Sequence, residues 1–171
     1  MREEQHPIEL RPPGQRIIKT VLSVFIAVSL SHLRSSESVP FFAGVAAVIC
    51  LQQHVKDSDL MGKNRTLGTV IGGLLGLGYL TVTSSIEMNA YLEYALMTLI
   101  IGVFIWVLAT FKVKHAITIT SIVFLSITLI HGDGSTDPFV IAYTRVIDTM
   151  IGVISAVLIN RIDFIKLIKR K

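Results

Sequence analysis

Two stretches of this chain, Leu67 to Ser85 and Tyr94 to Phe111, contain no charged residue. Each approaches the ~20 residues that carry a helix across a bilayer core at about 1.5 Å per residue. A water-soluble helix of that length needs a polar face, and neither run has one. Composition agrees: 51% of the 171 residues are hydrophobic and only 16% are charged, where soluble domains carry roughly 25%. The sequence therefore predicts an all-α, polytopic membrane helix bundle of about six transmembrane helices. One integral membrane domain is expected to fill residues 1–171, with no soluble domain.

The expected helices cover about 17–33, 39–55, 66–84, 91–111, 115–131 and 139–160. Turn formers punctuate them at Ser35 to Glu37, Lys56 to Asn64, Ser84 to Ala90, Lys112 to Lys114 and Gly132 to Pro138. The first apolar run carries Lys19 in its first turn, and no small-residue cleavage site follows it. It is expected to be a retained span and not a signal peptide. Of the 16 Lys and Arg residues, only Arg34 and Arg145 fall on the side opposite the N-terminus. The positive-inside rule then predicts a cell-membrane protein with both termini in the cytoplasm. The sequence pI of 9.4 follows from this topology and gives no reason to expect nucleic acid. The tail from Arg161 to Lys171 would lie on the anionic leaflet.

An internal repeat emerges at an offset of 80 residues. Arg65-Thr66-Leu67-Gly68-Thr69-Val70-Ile71-Gly72 aligns without gaps on Arg145-Val146-Ile147-Asp148-Thr149-Met150-Ile151-Gly152, and small residues follow at Gly76 and Ala156. An offset of three helices implies opposite directions, the signature of a 3+3 inverted repeat. Gly68, Gly72 and Gly76, and Gly152 in the second copy, form small-residue faces suited to close helix packing.

Charge inside the spans is sparse, and for that reason informative. Arg145 and Asp148 share a helix face at a spacing of three. Either both face a bundle interior and interact, or Arg145 snorkels to the interface. Lys19 and Arg65 sit at helix starts, where they anchor topology or, together with Arg145, give the interior a positive lining that attracts anions. Cys50 is expected to be a small buried hydrophobe. His54, His115 and His131 lack metal-site spacing and are expected at the interface, while Trp106 is expected to be a packing residue. No phosphate-binding loop, hydrolase elbow or metal motif occurs, so no enzymatic activity, cofactor or metal is expected.

The chain resembles the aromatic acid exporter family, which is related to the fusaric acid resistance proteins. The resemblance rests on Arg16 to Thr20, on Phe41 to Gln52, on Gly62 to Gly73 and on Arg145 to Gly152. It implies a six-helix transporter module that exports aromatic carboxylates, commonly with proton coupling; plant relatives conduct organic anions. Longer members carry a large cytoplasmic domain after the membrane module, whereas this chain stops soon after Asn160. The expected function is export of aromatic or other organic anions by a secondary mechanism. The anion-path candidates are Arg145, Asp148, Lys19, Arg65, Thr69 and Thr149. A passive organic-anion channel and a non-transporting membrane scaffold are the alternatives. Six helices leave little room for a carboxylate path through one subunit, so a homo-oligomer in the bilayer is expected.

Overall fold

The computed structural model describes residues 14–34, 38–83, 86, 88–111, 114–130 and 137–162. The expectations for His131, for the turn at Gly132 to Ser135 and for the basic tail beyond Ile162 lie outside the described residues. Among the described residues six helices follow one another: α1 Gln15–Arg34, α2 Pro40–Cys50, α3 Val55–Thr83, α4 Ala90–Thr110, α5 Lys114–Ile130 and α6 Pro138–Arg161. No strand occurs among the described residues. By length and apolarity α1, α3, α4 and α6 can cross a membrane, while α2 and α5 are shorter apolar helices. The expected all-helical membrane bundle is thus the observed architecture.

Local chemistry explains the helix starts. Asn89 caps α4 by accepting the Tyr91 N–H, and Asp137 caps α6 by accepting the Phe139 N–H at 2.8 Å, just ahead of Pro138. Pro40 opens α2, but its N-cap, Val39, has no side chain to offer. A distant residue supplies that cap, as described below.

Two expected boundaries are corrected. Helix 2 was expected over 39–55 but ends at Cys50, and Leu51 turns to extended backbone. Lys56 to Asn64, expected as a connection, forms the opening turns of the 29-residue α3. The reason is tertiary. Ser58 Oγ accepts the Gln52 N–H at 2.8 Å, and Asn160 Nδ2 donates to the Gln52 carbonyl at 3.0 Å. These bonds replace the helical partners that Gln52 gives up. At 11 residues α2 is about 16 Å long, roughly half the hydrocarbon thickness.

Contacts between helices fix their directions. Gly62 lies against Val153, Thr66 against Met150 and Gly73 against Val146, so α3 and α6 run antiparallel. Gly68, Gly72 and Gly76 meet Ile119, Thr120 and Ile127, so α3 and α5 run parallel. Val39 bonds Asp148 and Gln52 bonds Asn160, so α2 and α6 also run parallel. Lys19 bonds Asn160 and Ser31 bonds Asp148, so α1 runs antiparallel to α6. The start of α1 and the end of α6 therefore share one end of the bundle.

This is the packing a 3+3 inverted repeat requires, and the glycines show it atom by atom. A Cβ on Gly72 would sit 2.6 Å from the Thr120 carbonyl oxygen and 2.9 Å from Val123 Cβ. A Cβ on Gly152, its repeat mate, would meet the Ala43 carbonyl oxygen and, at 2.6 Å, Ala46 Cβ. Thr120 and Val123 follow Ala43 and Ala46 at a constant offset. The crossing of α3 on α5 is thus repeated as the crossing of α6 on α2. Small residues on one partner let the backbones approach closely enough for dispersion forces to hold helices that no hydrophobic gradient drives together in lipid.

Candidate functional site

The charged candidates separate into two groups: those already hydrogen-bonded and those with buried nitrogens that lack a hydrogen-bond partner. Asp148 belongs to the first. It is fully buried and accepts three hydrogen bonds: from Ser31 Oγ at 2.9 Å, from Arg34 Nη2 at 3.1 Å and from the Val39 N–H at 2.8 Å. Both members of the expected Arg145–Asp148 pair are buried, but the expected direct pairing is corrected: the ion-pair partner of Asp148 is Arg34, from α1. Sharing a helix face put Arg145 within reach, but the bare N-terminus of α2 presents an N–H and a positive dipole end to the same carboxylate. Asp148 is the missing cap of α2. Lys19 is also engaged, donating from Nζ to the Asn160 carbonyl at 2.9 Å near the end of α6, where a cation complements the helix dipole.

Asn160 closes the other end of α2. Its Nδ2 donates to the Gln52 carbonyl and, at 2.7 Å, to Ser58 Oγ. Residues 148 and 160 are about 18 Å apart along α6, which matches the length of α2. The short helix is therefore held at both termini by side chains of one long neighbour. This satisfies the backbone groups that a half-length helix would otherwise leave bare in hydrocarbon. Sequence reasoning missed Ser31, Arg34, Ser58 and Asn160 as parts of this clamp. The polar stripe Lys19, Ser23, Ser31 on one face of α1 was the available signal.

Arg65 and Arg145 form the second group. They occupy equivalent positions of the two repeats and are 7% and 5% exposed. Arg65 Nε, Arg145 Nε and Arg145 Nη1 are buried without a hydrogen-bond partner. The Arg145 guanidinium carbon sits 3.0 Å over the Phe42 ring, a cation–π contact that compensates part of its desolvation. Thr69 and Thr149, also repeat mates, are each 1% exposed, and Thr69 Oγ1 has no partner. The interior thus holds two buried guanidinium groups with unsatisfied nitrogens, and an unsatisfied Thr69 hydroxyl. Unsatisfied buried guanidinium nitrogens are costly, and acceptor oxygens are the groups that satisfy them.

The remaining candidates serve packing. Gly68, Gly72 and Gly76 face α5 and Gly152 faces α2. Cys50 is fully buried. Trp106, expected to pack, is 70% exposed on α4, a correction that follows from α4 burying only Met97 and Leu108. No group of three or more His, Cys, Asp or Glu suited to a metal occurs among the described residues.

Fold and site together define a helical multi-pass membrane protein with a buried cationic interior. The chain belongs to the fusaric acid resistance protein-like family, whose sequence pattern matches residues 22–159. That family points to a membrane transport or resistance protein. It is similar to the UPF0421 protein YgaE of Bacillus subtilis (strain 168), with 26% identity over 147 residues, covering 86% of this chain and 38% of that relative. The chain thus spans well under half the length of the relative. No solved structure matches.

Proposed function

We propose that the protein is a secondary transporter that exports small organic anions, aromatic carboxylates among them, across the cell membrane. The carrying observation is the pair of buried, repeat-related arginines with unpaired guanidinium nitrogens, Arg65 and Arg145. Arg65 and Arg145 attract the carboxylate, and Thr69 and Thr149 line the same stretch of α3 and α6. Both arginines are sealed from solvent in this conformation, so an anion reaches them when the α3–α5 and α6–α2 units move relative to each other, the mode of inverted-repeat transporters. Both termini lie in the cytoplasm, consistent with the shared end of α1 and α6, and the working unit is a homo-oligomer.

Asp148 is fully occupied by three donors. Its role is to fix α2, and with it the Phe42 ring under Arg145. The test is flux of a panel of aromatic and aliphatic carboxylates in proteoliposomes, with and without a pH gradient. Saturable carboxylate flux that accelerates with the gradient supports a coupled exporter. Flux indifferent to the gradient favours a passive channel, and absence of substrate-dependent flux refutes transport.

A further inference from the structure

The α3–α6 crossing does more than join the repeats. At the end shared by Lys19 and Asn160 the two helices part into an outward-facing groove of about 710 Å³. Its floor is Gly62 against Val153, where a Cβ on the glycine would come within 3.0 Å of the valine methyl. Its walls are apolar: Leu67 and Val70 from α3, Ile154 and Leu158 from α6. Its mouth is charged. Arg161 Nη2 bonds both oxygens of Asp59 at 3.1 and 3.2 Å. Lys63 stands exposed at the same rim with no partner among the described residues. The pair at Asp59 neutralises Arg161, so Lys63 leaves the rim with a net positive charge.

We propose that this groove binds an anionic phospholipid, with an acyl chain along Leu67, Val70, Ile154 and Leu158 and the phosphate at Lys63. From Arg161 to Ile154 the groove follows α6 for about 10 Å, a depth that takes a chain and not a headgroup alone. A phosphate at Lys63 sits where basic residues beside a membrane meet anionic headgroups. A second copy of the chain fits poorly. A two-fold contact would set the same basic rim against itself, while a lipid brings the opposite sign. A free phosphate has no use for the apolar walls.

The experiment uses tryptophan fluorescence in liposomes. Trp106 lies on α4, away from the groove, and is the only tryptophan. In a Trp106→Phe background, Leu158→Trp reports on one wall and Leu67→Trp on the other; both parent residues are exposed. Quenching by dibrominated phosphatidylglycerol is compared with quenching by dibrominated phosphatidylcholine. The expected relative association constant favours phosphatidylglycerol about fivefold, the factor that one basic residue near an anionic surface contributes. Lys63→Gln should return it to near one, and Trp106 in the parent should show no preference. Equal quenching by the two lipids at both reporters overturns the proposal, as does a preference that survives Lys63→Gln. Failure of either lipid to quench, the outcome if a second copy covers the groove, overturns it too.

Discussion

The two halves of this molecule share a backbone plan and differ in what holds it. In the α6–α2 half the crossing at Gly152 is flanked by polar clamps, Asp148 at one end of α2 and Asn160 at the other. In the α3–α5 half the equivalent positions are Gly68 and Leu80, and the crossing is glycine against β-branched side chains and backbone. The covering helices differ as well. α1 packs on both α2 and α6, whereas α4 packs mainly on α5 and touches α3 through Met97 beside Tyr79. One half is held by directional bonds that have a single geometry. The other rests on close glycine crossings and apolar contact, and is tied to the first through Ser58 of α3.

The sharpest way to break the comparison is Asp148→Ala. It strands Arg34 and the Val39 N–H at once, and a cost of about 3–5 kcal/mol is expected, as for other broken buried ion pairs. It should read as lost thermal stability of the purified protein. Arg34→Ala leaves Asp148 with two donors and should cost less. The Arg34→Met, Asp148→Asn double variant should be milder than Asp148→Ala alone. Equal losses for all three would mean the clamp is not a unit.

Gly152→Ala and Gly72→Ala come next. Each drives a methyl into a carbonyl oxygen of the facing helix, and about 1–3 kcal/mol is expected. The clamped half cannot shift to relieve the clash, so Gly152→Ala should be the worse. Gly78, with nothing within 4 Å, should accept alanine without loss and gain helix propensity. Melting curves of the three variants side by side decide it.

Asn160→Ala removes two side-chain bonds, each contributing about 1 kcal/mol. Beyond lowered stability, it should loosen the break after Cys50, visible as faster amide hydrogen exchange at Gln52. The smallest effect belongs to Arg161→Ala. The Arg161–Asp59 pair is exposed, and such pairs contribute about 0–1 kcal/mol.

The sequence made the same division visible in part. The repeat was legible because glycine spacing is a packing requirement written directly into the chain, and Gly72 and Gly152 perform equivalent tasks. Helix identity was legible from the uncharged runs. The end of α2 was not. Leu51-Gln52-Gln53-His54 contains no glycine or proline, and the break is imposed by Ser58 and by Asn160. Nor was the partner of Asp148. Spacing along α6 pointed to Arg145, but Arg34 and the N-terminus of α2 arrive from elsewhere in the chain, and they satisfy the carboxylate first. The arginines with unsatisfied nitrogens were singled out as charges in the membrane, yet only their burial distinguishes them from interfacial anchors.

The central claim is that Arg65 and Arg145 together receive the anion. Flux of a labelled aromatic carboxylate, measured per folded protein in proteoliposomes, tests it in Arg65→Gln and Arg145→Gln, which keep polar side chains of moderate length. The account predicts a loss of at least about tenfold in each, the equivalent of one charge-assisted hydrogen bond, with melting temperatures at or above that of the parent because an unpaired buried charge has been removed. Parent-level flux in both folded variants would contradict it.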